Sequence, residues 1–361
     1  MRVAYLTGVR QLAIRDAPEP QLANADDVLL RIDAVGVCGS DLHYYTTGRI
    51  GFQVLNFPET VGHECAGTVL AAGPAVRGLR VGQRVAIDPL IACGQCDQCL
   101  AGREHTCRRQ MFLGCPGQAP GALAERLVMP ARCCYPVPDS VTAEQAAMVE
   151  PFSVALHSRN QARLGPGAKL AILGSGPIGL AVLLACRAAK DGSSYRVYAT
   201  DLVEERLQAA AQAGADWTGN PRREDVVRAM IQSAQLGLDA VFECAGQQET
   251  LDQAVELLKP GGTLVMVGIP ELDRVSFDPH ALRRHELEIR NVRRQNRCVA
   301  RAVEMVATGA VNVDSLITHR FNLSETQRAF DLVAARGEGV IKAMIEVSGR
   351  DDRQGVHVSR V

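Results

Sequence analysis

A histidine and a glutamate stand next to each other at His63 and Glu64, and a cysteine, Cys38, precedes them in the chain. Thiolate, imidazole and carboxylate groups all bind zinc, and three protein ligands leave a fourth position for water or substrate. Catalytic zinc has such an open site, whereas structural zinc has four protein ligands. A lone His-Glu pair is more often a polar pair without a metal, so the zinc hypothesis depends on the rest of the chain.

Four more cysteines follow in a CxxCxxCx7C pattern, namely Cys93, Cys96, Cys99 and Cys107. Three thiols at two-residue gaps and a fourth after a short loop can enclose one tetrahedral zinc with no position left for water. The pattern predicts a structural zinc. Its expected role is to fold a glycine-rich lobe that has few apolar residues of its own.

A glycine-rich turn in the middle of the chain has the context of a dinucleotide site. An apolar strand at 169–173 is followed at once by a GxGxxG motif and an apolar helix at 180–189. The glycines allow a tight turn, a close approach of the pyrophosphate to the helix N-terminus, and packing of the helix on the strand. The predicted contacts are Gly174, Gly176, Pro177, Ile178 and Gly179.

The next strand, 196–200, ends in Asp201, and the offset from the last glycine is 201 − 179 = 22 residues. An acid at roughly this distance accepts hydrogen bonds from the adenosine ribose, and its charge repels a 2′-phosphate. This favours NAD over NADP. Arg206 is expected to pack along the adenine edge, and its positive charge leaves NADP as an alternative. The nicotinamide is expected at the carboxyl ends of the strands, near Val267, Gly268 and Ile269.

The order of predicted elements indicates two domains of an α/β protein. As far as about Tyr135 the chain has short alternating runs between glycine and proline turns, which is typical of strands. Strands and helices then alternate, which predicts a parallel, doubly wound sheet with helices on both faces. From about Arg293 to Thr308 the chain is predicted to be helical, and a late strand at 341–345 is expected to return to the first domain. We therefore expect one domain of residues 1–153 completed by 293–361, and a dinucleotide domain of residues 154–292, with a disordered tail from about Ser348.

Composition limits the function classes. The chain has 361 residues, a formal net charge of −1 and 47% hydrophobic residues. A near-neutral charge argues against nucleic acid or an anionic membrane as the main partner, because both bind basic surfaces. The first residues lack the apolar segment of a secretory signal, so we expect a cytoplasmic protein with reduced cysteines and a small-molecule partner.

Several motifs together resemble the zinc-dependent medium-chain alcohol dehydrogenases, and among them the polyol (sorbitol and xylitol) dehydrogenases. These motifs are the four cysteines, the GxGxxG turn and the segments 38–43, 48–51, 62–64 and 150–157. The resemblance covers nearly the whole chain. It implies a GroES-like catalytic domain, a Rossmann domain, two zinc ions per chain, NAD, and a homo-oligomer that is a dimer or a tetramer.

The resemblance also implies roles for individual residues. Cys38, His63 and Glu64 would bind the catalytic zinc, and Glu150 would hydrogen-bond the metal-bound water or replace it. A cysteine occupies the place of Glu150 in ethanol-oxidising relatives, so the carboxylate favours polyols. Ser40 and His43 would carry the substrate proton away, and the substrate carbon would give hydride to nicotinamide.

The substrate pocket is implied by Tyr44, Phe112 and Arg293, which match positions in sorbitol dehydrogenases. Arg294 departs from the pattern, because an aromatic residue is usual there. Arginines suit vicinal hydroxyls or a carboxylate better than a simple alcohol. The expected substrate is a secondary alcohol of a polyol, with an inositol, a sugar acid or an amino-acid alcohol as alternatives.

The sequence disfavours two functions of another class. A catalytically silent structural relative is disfavoured because the open zinc set and the fingerprint are intact. A zinc-finger binding module is disfavoured by the near-neutral charge.

Overall fold

The computed structural model describes residues 1–188 and 194–348. The predicted end of the helix at Ala189 and the predicted tail after Ser348 lie outside these residues. No helix within the two described ranges is both long and apolar enough to cross a membrane.

The strands alternate with turns in the first part of the chain and with helices in the middle. In chain order they are Arg2–Gly8 (β1), Gln11–Asp16 (β2), Asp27–Gly36 (β3), Arg49–Ile50 (β4), Gln53–Val54 (β5), Glu64–Ala72 (β6), Arg84–Ile87 (β7), Leu90–Ile91 (β8), Met111–Phe112 (β9), Arg126–Pro130 (β10), Cys134–Pro136 (β11), Lys169–Leu173 (β12), Arg196–Thr200 (β13), Trp217–Gly219 (β14), Leu238–Glu243 (β15), Leu258–Met266 (β16), Glu288–Asn291 (β17), Ile317–Asn322 (β18) and Lys342–Glu346 (β19).

The helices are concentrated after residue 140. In chain order they are Gly39–Thr47 (α1), Asp97–Leu100 (α2), Ala143–Ala147 (α3), Val149–Ala162 (α4), Pro177–Arg187 (α5), Glu204–Gln212 (α6), Val226–Ala234 (α7), Gln248–Leu257 (α8), Pro279–His285 (α9), Val299–Ala307 (α10) and Thr326–Ala335 (α11).

A seven-stranded, mostly antiparallel sheet forms the first layer. Its strand order is β11-β7-β6-β3-β19-β18, and β10 also pairs with β3. The late strand β19 lies antiparallel to β3, with Met344 opposite Gly36. Residues from both ends of the described chain therefore build one sheet, and β19 reaches the loop that carries Cys38.

A six-stranded parallel sheet with the order β14-β13-β12-β15-β16-β17 forms the second layer. Its central strand β12 is largely buried. The turn into α5 needs glycine at two positions: Gly174 has φ of 96°, and a Cβ on Gly179 would lie 2.0 Å from the Gly174 carbonyl oxygen. Strand order reverses between β12 and β15, which is where ligands bind in such sheets.

The predicted helix from about Arg293 begins later than expected, because α10 starts only at Val299. Arg294 and Arg297 have φ of 54° and 55°, which is left-handed backbone that no right-handed helix contains. The segment before α10 is therefore an irregular loop, and it follows the end of β17.

Candidate functional site

The four cysteines of the lobe face one another. Their ligand atoms all lie within 4.8 Å of one another. Cys96 Sγ is 3.6 Å from Cys99 Sγ and 3.8 Å from Cys107 Sγ. The backbone N–H groups of Cys93 and Arg109 donate to Cys107 Sγ at 3.3 and 3.4 Å, and such donors stabilise a thiolate. The cluster fits a closed tetrahedral zinc.

Cys38 and His63 approach each other at the start of α1. Cys38 immediately precedes α1, and Ser40 lies in the first turn of this helix. Ser40 Oγ is 3.3 Å from Cys38 Sγ and 3.5 Å from His63 Nε2. A soft sulfur and an imidazole nitrogen directed at one point form a donor set that fits zinc.

Asp41 holds both of these groups in place. Its Oδ1 lies 3.3 Å from His63 Nδ1, and its Oδ2 accepts the Cys38 N–H at 3.3 Å. A carboxylate on Nδ1 leaves Nε2 free for a metal and fixes the ring orientation. Burial alone would lower the pKa of His63, but the charges of Asp41 and Cys38 and their hydrogen bonds together raise it well above the usual value. The sequence reasoning gave Asp41 no role, although its burial at 1% exposure is unusual for an aspartate.

Glu64 has a different partner from the expected one. Both of its carboxylate oxygens accept from Lys342 Nζ, at 2.8 and 2.6 Å, and both side chains are buried. Lys342 also donates to the Val37 carbonyl at 3.0 Å. An ammonium this close to both oxygens competes with a divalent cation for their lone pairs. In this structure Glu64 therefore pairs with Lys342, and its ligation of zinc beside Cys38 and His63 stays a prediction.

Glu150 lies in the first turn of α4 and lines the same cavity as Cys38 and His63. Burial raises the pKa of Glu150 to about 7, and the nearby Glu64 adds to the shift while His63 opposes it. A buried carboxylate that is costly to ionise gains strongly from a cation. This side chain can act as a third ligand.

The glycine turn leaves room for a phosphate. A Cβ on Gly176 would have only Arg206 Nη1 within 4 Å, at 3.7 Å, so the N-terminus of α5 is open on that side. Asp201 directly follows β13, and its carboxylate accepts hydrogen bonds from the N–H groups of Ser175 and Val203 at 2.8 and 2.9 Å. Arg206 Nη1 lies 4.0 Å from Asp201. The arrangement fits a dinucleotide whose ribose faces an acid.

Glu243 shapes the far end of the parallel sheet. Its carbonyl accepts the N–H groups of Val267 and Gly268 at 2.8 Å. Its side chain accepts those of Ala245 and Gly246 at 2.8 and 2.7 Å. Gly174, Gly176, Pro177, Ile178, Val267, Gly268 and Ile269 all line the cavity. Gly179 packs beneath the turn.

The predicted substrate residues form another wall of the cavity, namely Tyr44, Phe112, Arg293 and Arg294. The Phe112 ring lies 5.3 Å from the His63 ring, and the Arg294 guanidinium lies 3.5 Å from the Phe112 centroid. Cys115, which the sequence reasoning missed, joins this wall, and its Sγ is 3.6 Å from Arg294 Nη2. The His43 side chain also faces the cavity.

One continuous cavity of about 850 Å³ connects all of these groups. It runs from Cys38, His63 and Glu150 to the glycine turn and Asp201. Its size is in the upper part of the range of small-molecule and cofactor sites. The cavity can therefore hold an extended cofactor and a second, smaller molecule.

Comparisons with known proteins agree with this arrangement. The family model of the alcohol dehydrogenase GroES-like domain matches residues 24–139, and that of the zinc-binding dehydrogenase domain matches residues 177–308. Sorbitol dehydrogenase of Bacillus subtilis is 35% identical over 346 residues, which is 96% of this chain and 97% of that protein. L-idonate 5-dehydrogenase of Vitis vinifera is 36% identical over 352 residues, or 95% and 94% of the two chains.

The same fold is found in a solved structure of a zinc-binding dehydrogenase from Sinorhizobium meliloti bound to NADP. It is 32% identical with a TM-score of 0.86, and the match covers 96% of this chain and 99% of that one. The chain belongs to the zinc-dependent medium-chain alcohol dehydrogenase family. Its mixed α/β architecture, with a GroES-like part and a Rossmann-like part, is confirmed.

Proposed function

We propose that this protein oxidises a secondary hydroxyl of a polyol or sugar-derived alcohol to a ketone, with a zinc ion and NAD. The observation that carries the proposal is the single cavity that joins Cys38, His63 and Glu150 to the glycine turn and Asp201. A substrate bound beside Cys38, His63 and Glu150 and a cofactor bound along the glycine turn and Asp201 would therefore lie in the same cavity.

The zinc ligands we propose are Cys38, His63 and Glu150. Glu64 is held by Lys342, so its charge acts on the site from behind the ligands. When bound, the zinc would supply Lewis-acid polarisation of the substrate hydroxyl. Asp41 contacts His63 Nδ1 and so orients the ring with Nε2 available to the zinc.

Ser40 and His43 would receive the substrate proton. Ser40 Oγ lies beside both Cys38 Sγ and His63 Nε2, so it can accept a hydrogen bond from a hydroxyl that reaches this point. Burial lowers the pKa of His43, against the opposing charge of Glu271. The imidazole is therefore neutral near pH 7 and able to take the proton that Ser40 passes on.

The choice of NAD over NADP rests on Asp201. Its charge lies at the end of β13 beside the cavity, where a 2′-phosphate would be repelled. Replacing Asp201 with alanine should weaken NAD roughly 10- to 100-fold, because a charged hydrogen-bond partner of the ribose is lost. The preference for NAD over NADP should become smaller. A wild type that prefers NADP in side-by-side kinetics would exclude this assignment.

The protein is also proposed to work in the cytoplasm as a homo-oligomer, a dimer or a tetramer. The support is the resemblance of its motifs to the polyol dehydrogenases. Light scattering of the purified protein tests the oligomer, and a monomeric mass would contradict it.

The function itself is tested by metal analysis and a substrate panel. Two zinc ions per chain are expected, with NADH formed from sorbitol, xylitol, myo-inositol, a sugar acid or threonine but not efficiently from ethanol. A site that hydrogen-bonds several hydroxyls discriminates strongly against substrates that lack them. Comparable kcat/KM for ethanol and the best polyol would refute the proposal, and a two-zinc protein without any turnover would favour a catalytically silent relative.

A further inference from the structure

The loop between β17 and α10 brings an unusual cation to the wall of the cavity. Arg294 is mostly buried, and burial is the main reason that its pKa is lowered to about 10. Within the described chain it forms no ion pair, and its Nη1 is buried without a hydrogen-bond partner. A buried guanidinium normally has a carboxylate partner, because an uncompensated charge away from water is costly.

A second polar group on the same wall has no strong partner. Tyr44 is 2% exposed, and within the described residues its hydroxyl has no nitrogen or oxygen partner, while the Cys115 thiol beside it is a weak hydrogen-bonding group. The hydroxyl lies near Cys115 and Arg294, which both affect its pKa after the larger effect of burial. Buried polar atoms without partners are rare in native proteins. Four residues that line the cavity have one: Arg206 and Gln253 belong to the dinucleotide half, in α6 and α8, whereas Tyr44 and Arg294 belong to the wall that contains Phe112.

The backbone holds Arg294 in a conformation that costs energy. Its φ of 54° is left-handed, which a residue with a Cβ seldom adopts. Strained residues of this kind cluster at ligand sites, where the surrounding structure fixes them. Packing of the guanidinium 3.5 Å above the Phe112 ring fixes the side chain as well. Arg294 is therefore held at the cavity wall by both its backbone and its side chain.

Among the described residues, no acid forms a direct ion pair with Arg294. Glu150 is the carboxylate whose charge raises the pKa of Arg294, and it is committed to the metal in the proposed function. The charge of Asp88 attracts Arg294, but among the described residues the two groups form no ion pair, and the Asp88 oxygens accept from the Leu90 N–H at 3.0 Å and Gln295 Nε2 at 2.9 Å. Arg293, the neighbouring cation, adds positive charge.

We infer that Arg294 and the Tyr44 hydroxyl form a carboxylate subsite, so that the substrate is a polyol acid and not a neutral polyol. This inference rests on the proposed function, because the carboxylate must belong to the molecule whose hydroxyl is oxidised. A guanidinium gains more from a carboxylate than from a neutral hydroxyl, since only the anion compensates its charge. A dianionic phosphate would need more donors than these two groups offer.

Matched substrate pairs test the subsite. Sorbitol and D-gluconate, galactitol and D-galactonate, and xylitol and D-xylonate differ within each pair only at one terminal carbon. The zinc-loaded wild type should prefer the acid of at least one pair by about 10- to 100-fold in kcat/KM, which is the usual gain from a charge-assisted bond. Arg294→Gln should reduce that ratio to near one. Arg294→Lys should keep part of it, and Tyr44→Phe should lower it.

Arg297→Gln is the matched control. Arg297 lies in the same loop with the same left-handed backbone, but it is exposed and pairs with Glu104 at 3.1 Å. Its replacement should leave the acid-to-polyol ratio unchanged. If Arg294 only supports Phe112, then Arg294→Gln will depress both members of a pair equally, and the inference is wrong. Preference for the neutral polyol, or a stronger preference for sorbitol 6-phosphate, would also overturn it.

Calorimetry separates this inference from the proposed function. The acid and the polyol of each pair are titrated into the zinc- and NADH-loaded protein, so no turnover is needed. Tighter binding of the acid that Arg294→Gln abolishes would support the subsite even if no substrate were oxidised. Absence of turnover with every polyol and acid would instead refute the proposed function. Equal binding of acid and polyol would refute the subsite alone.

Discussion

The two cysteine-containing sites of this protein are built in opposite ways. The four-cysteine lobe takes every ligand from one stretch of fifteen residues, 93–107, and its sulfurs lie within 4.8 Å of one another. The proposed open site takes Cys38, His63 and Glu150 from three separate segments of the chain, and Asp41 contacts two of them, Cys38 and His63. A closed site can be specified by local spacing, whereas an open site needs a folded frame that leaves one side free.

The largest effect should come from breaking the open site. His63→Ala or Cys38→Ala should reduce turnover on the order of a thousandfold or more, because polarisation of the hydroxyl is worth several kcal/mol. The zinc content should fall from two ions to one, while melting temperature and NADH binding stay near the wild-type values. Near-normal turnover in either variant would remove the proposed role of zinc.

Breaking the closed site should have the reverse result. Cys96→Ser should also remove one zinc, but it should lower the melting temperature by on the order of 5–10 °C, since each kcal/mol shifts a chain of this size by a few degrees. Cys134→Ala is the control, a buried thiol outside both sites that should leave the zinc content unchanged. If Cys96→Ser keeps its stability, the lobe does not need a metal to fold.

The pair behind the open site provides a third test. Lys342→Met leaves the buried Glu64 carboxylate without its partner, which should cost about 3–5 kcal/mol of unfolding free energy. Adding Glu64→Gln should recover much of that loss, because the uncompensated charge is then gone. Lys259→Met, which breaks an exposed pair with Asp239, should cost at most about 1 kcal/mol.

Urea denaturation of the single and double variants measures these differences. A single Lys342→Met variant as stable as the wild type would mean that Glu64 is neutralised by something other than Lys342. Direct ligation of the metal by Glu64 would then be favoured.

The locally encoded features were the ones that sequence reasoning could predict. The strand-turn-helix context of Gly174 to Gly179 predicted β12 and α5, and the cysteine spacing predicted a cluster that the structure brings together. The role of Lys342 was missed because its partner Glu64 is distant in the chain, and the two meet only because β3 pairs with β19 on one side and with β6 on the other. A lysine within the apolar run 340–345 was nevertheless a visible signal.

The segment before α10 was wrongly predicted to be helical, for a different reason. Its composition suits a helix, but Arg294 and Arg297 have left-handed backbone. Their side chains contact residues distant in the chain, Arg294 packing on Phe112 and Arg297 pairing with Glu104. Asp41 was likewise present in a recognised motif, yet its contacts with the Gly62 N–H and His63 join α1 to the segment just before β6. Long-range contacts of this kind are not encoded in any local pattern.

The smallest expected effect concerns proton removal at the open site. Burial lowers the pKa of His43, and the charge of Glu271 partly opposes that change. The neutral imidazole is the form that accepts a proton, so activity that depends on it is present above its pKa and lost as pH falls through it. The acid limb of kcat/KM should therefore lie below the usual histidine value of about 6.5.

Glu271→Gln sharpens this last prediction. Removing the carboxylate removes a charge that favours imidazolium, so the pKa of His43 should fall further and the acid limb should move to lower pH. Glu286→Gln, another glutamate of the parallel-sheet half that does not affect His43, should leave the limb in place. His43→Asn should abolish the limb while zinc content stays at two. A limb that survives in His43→Asn belongs to another group, and His43 would then not be the final proton acceptor.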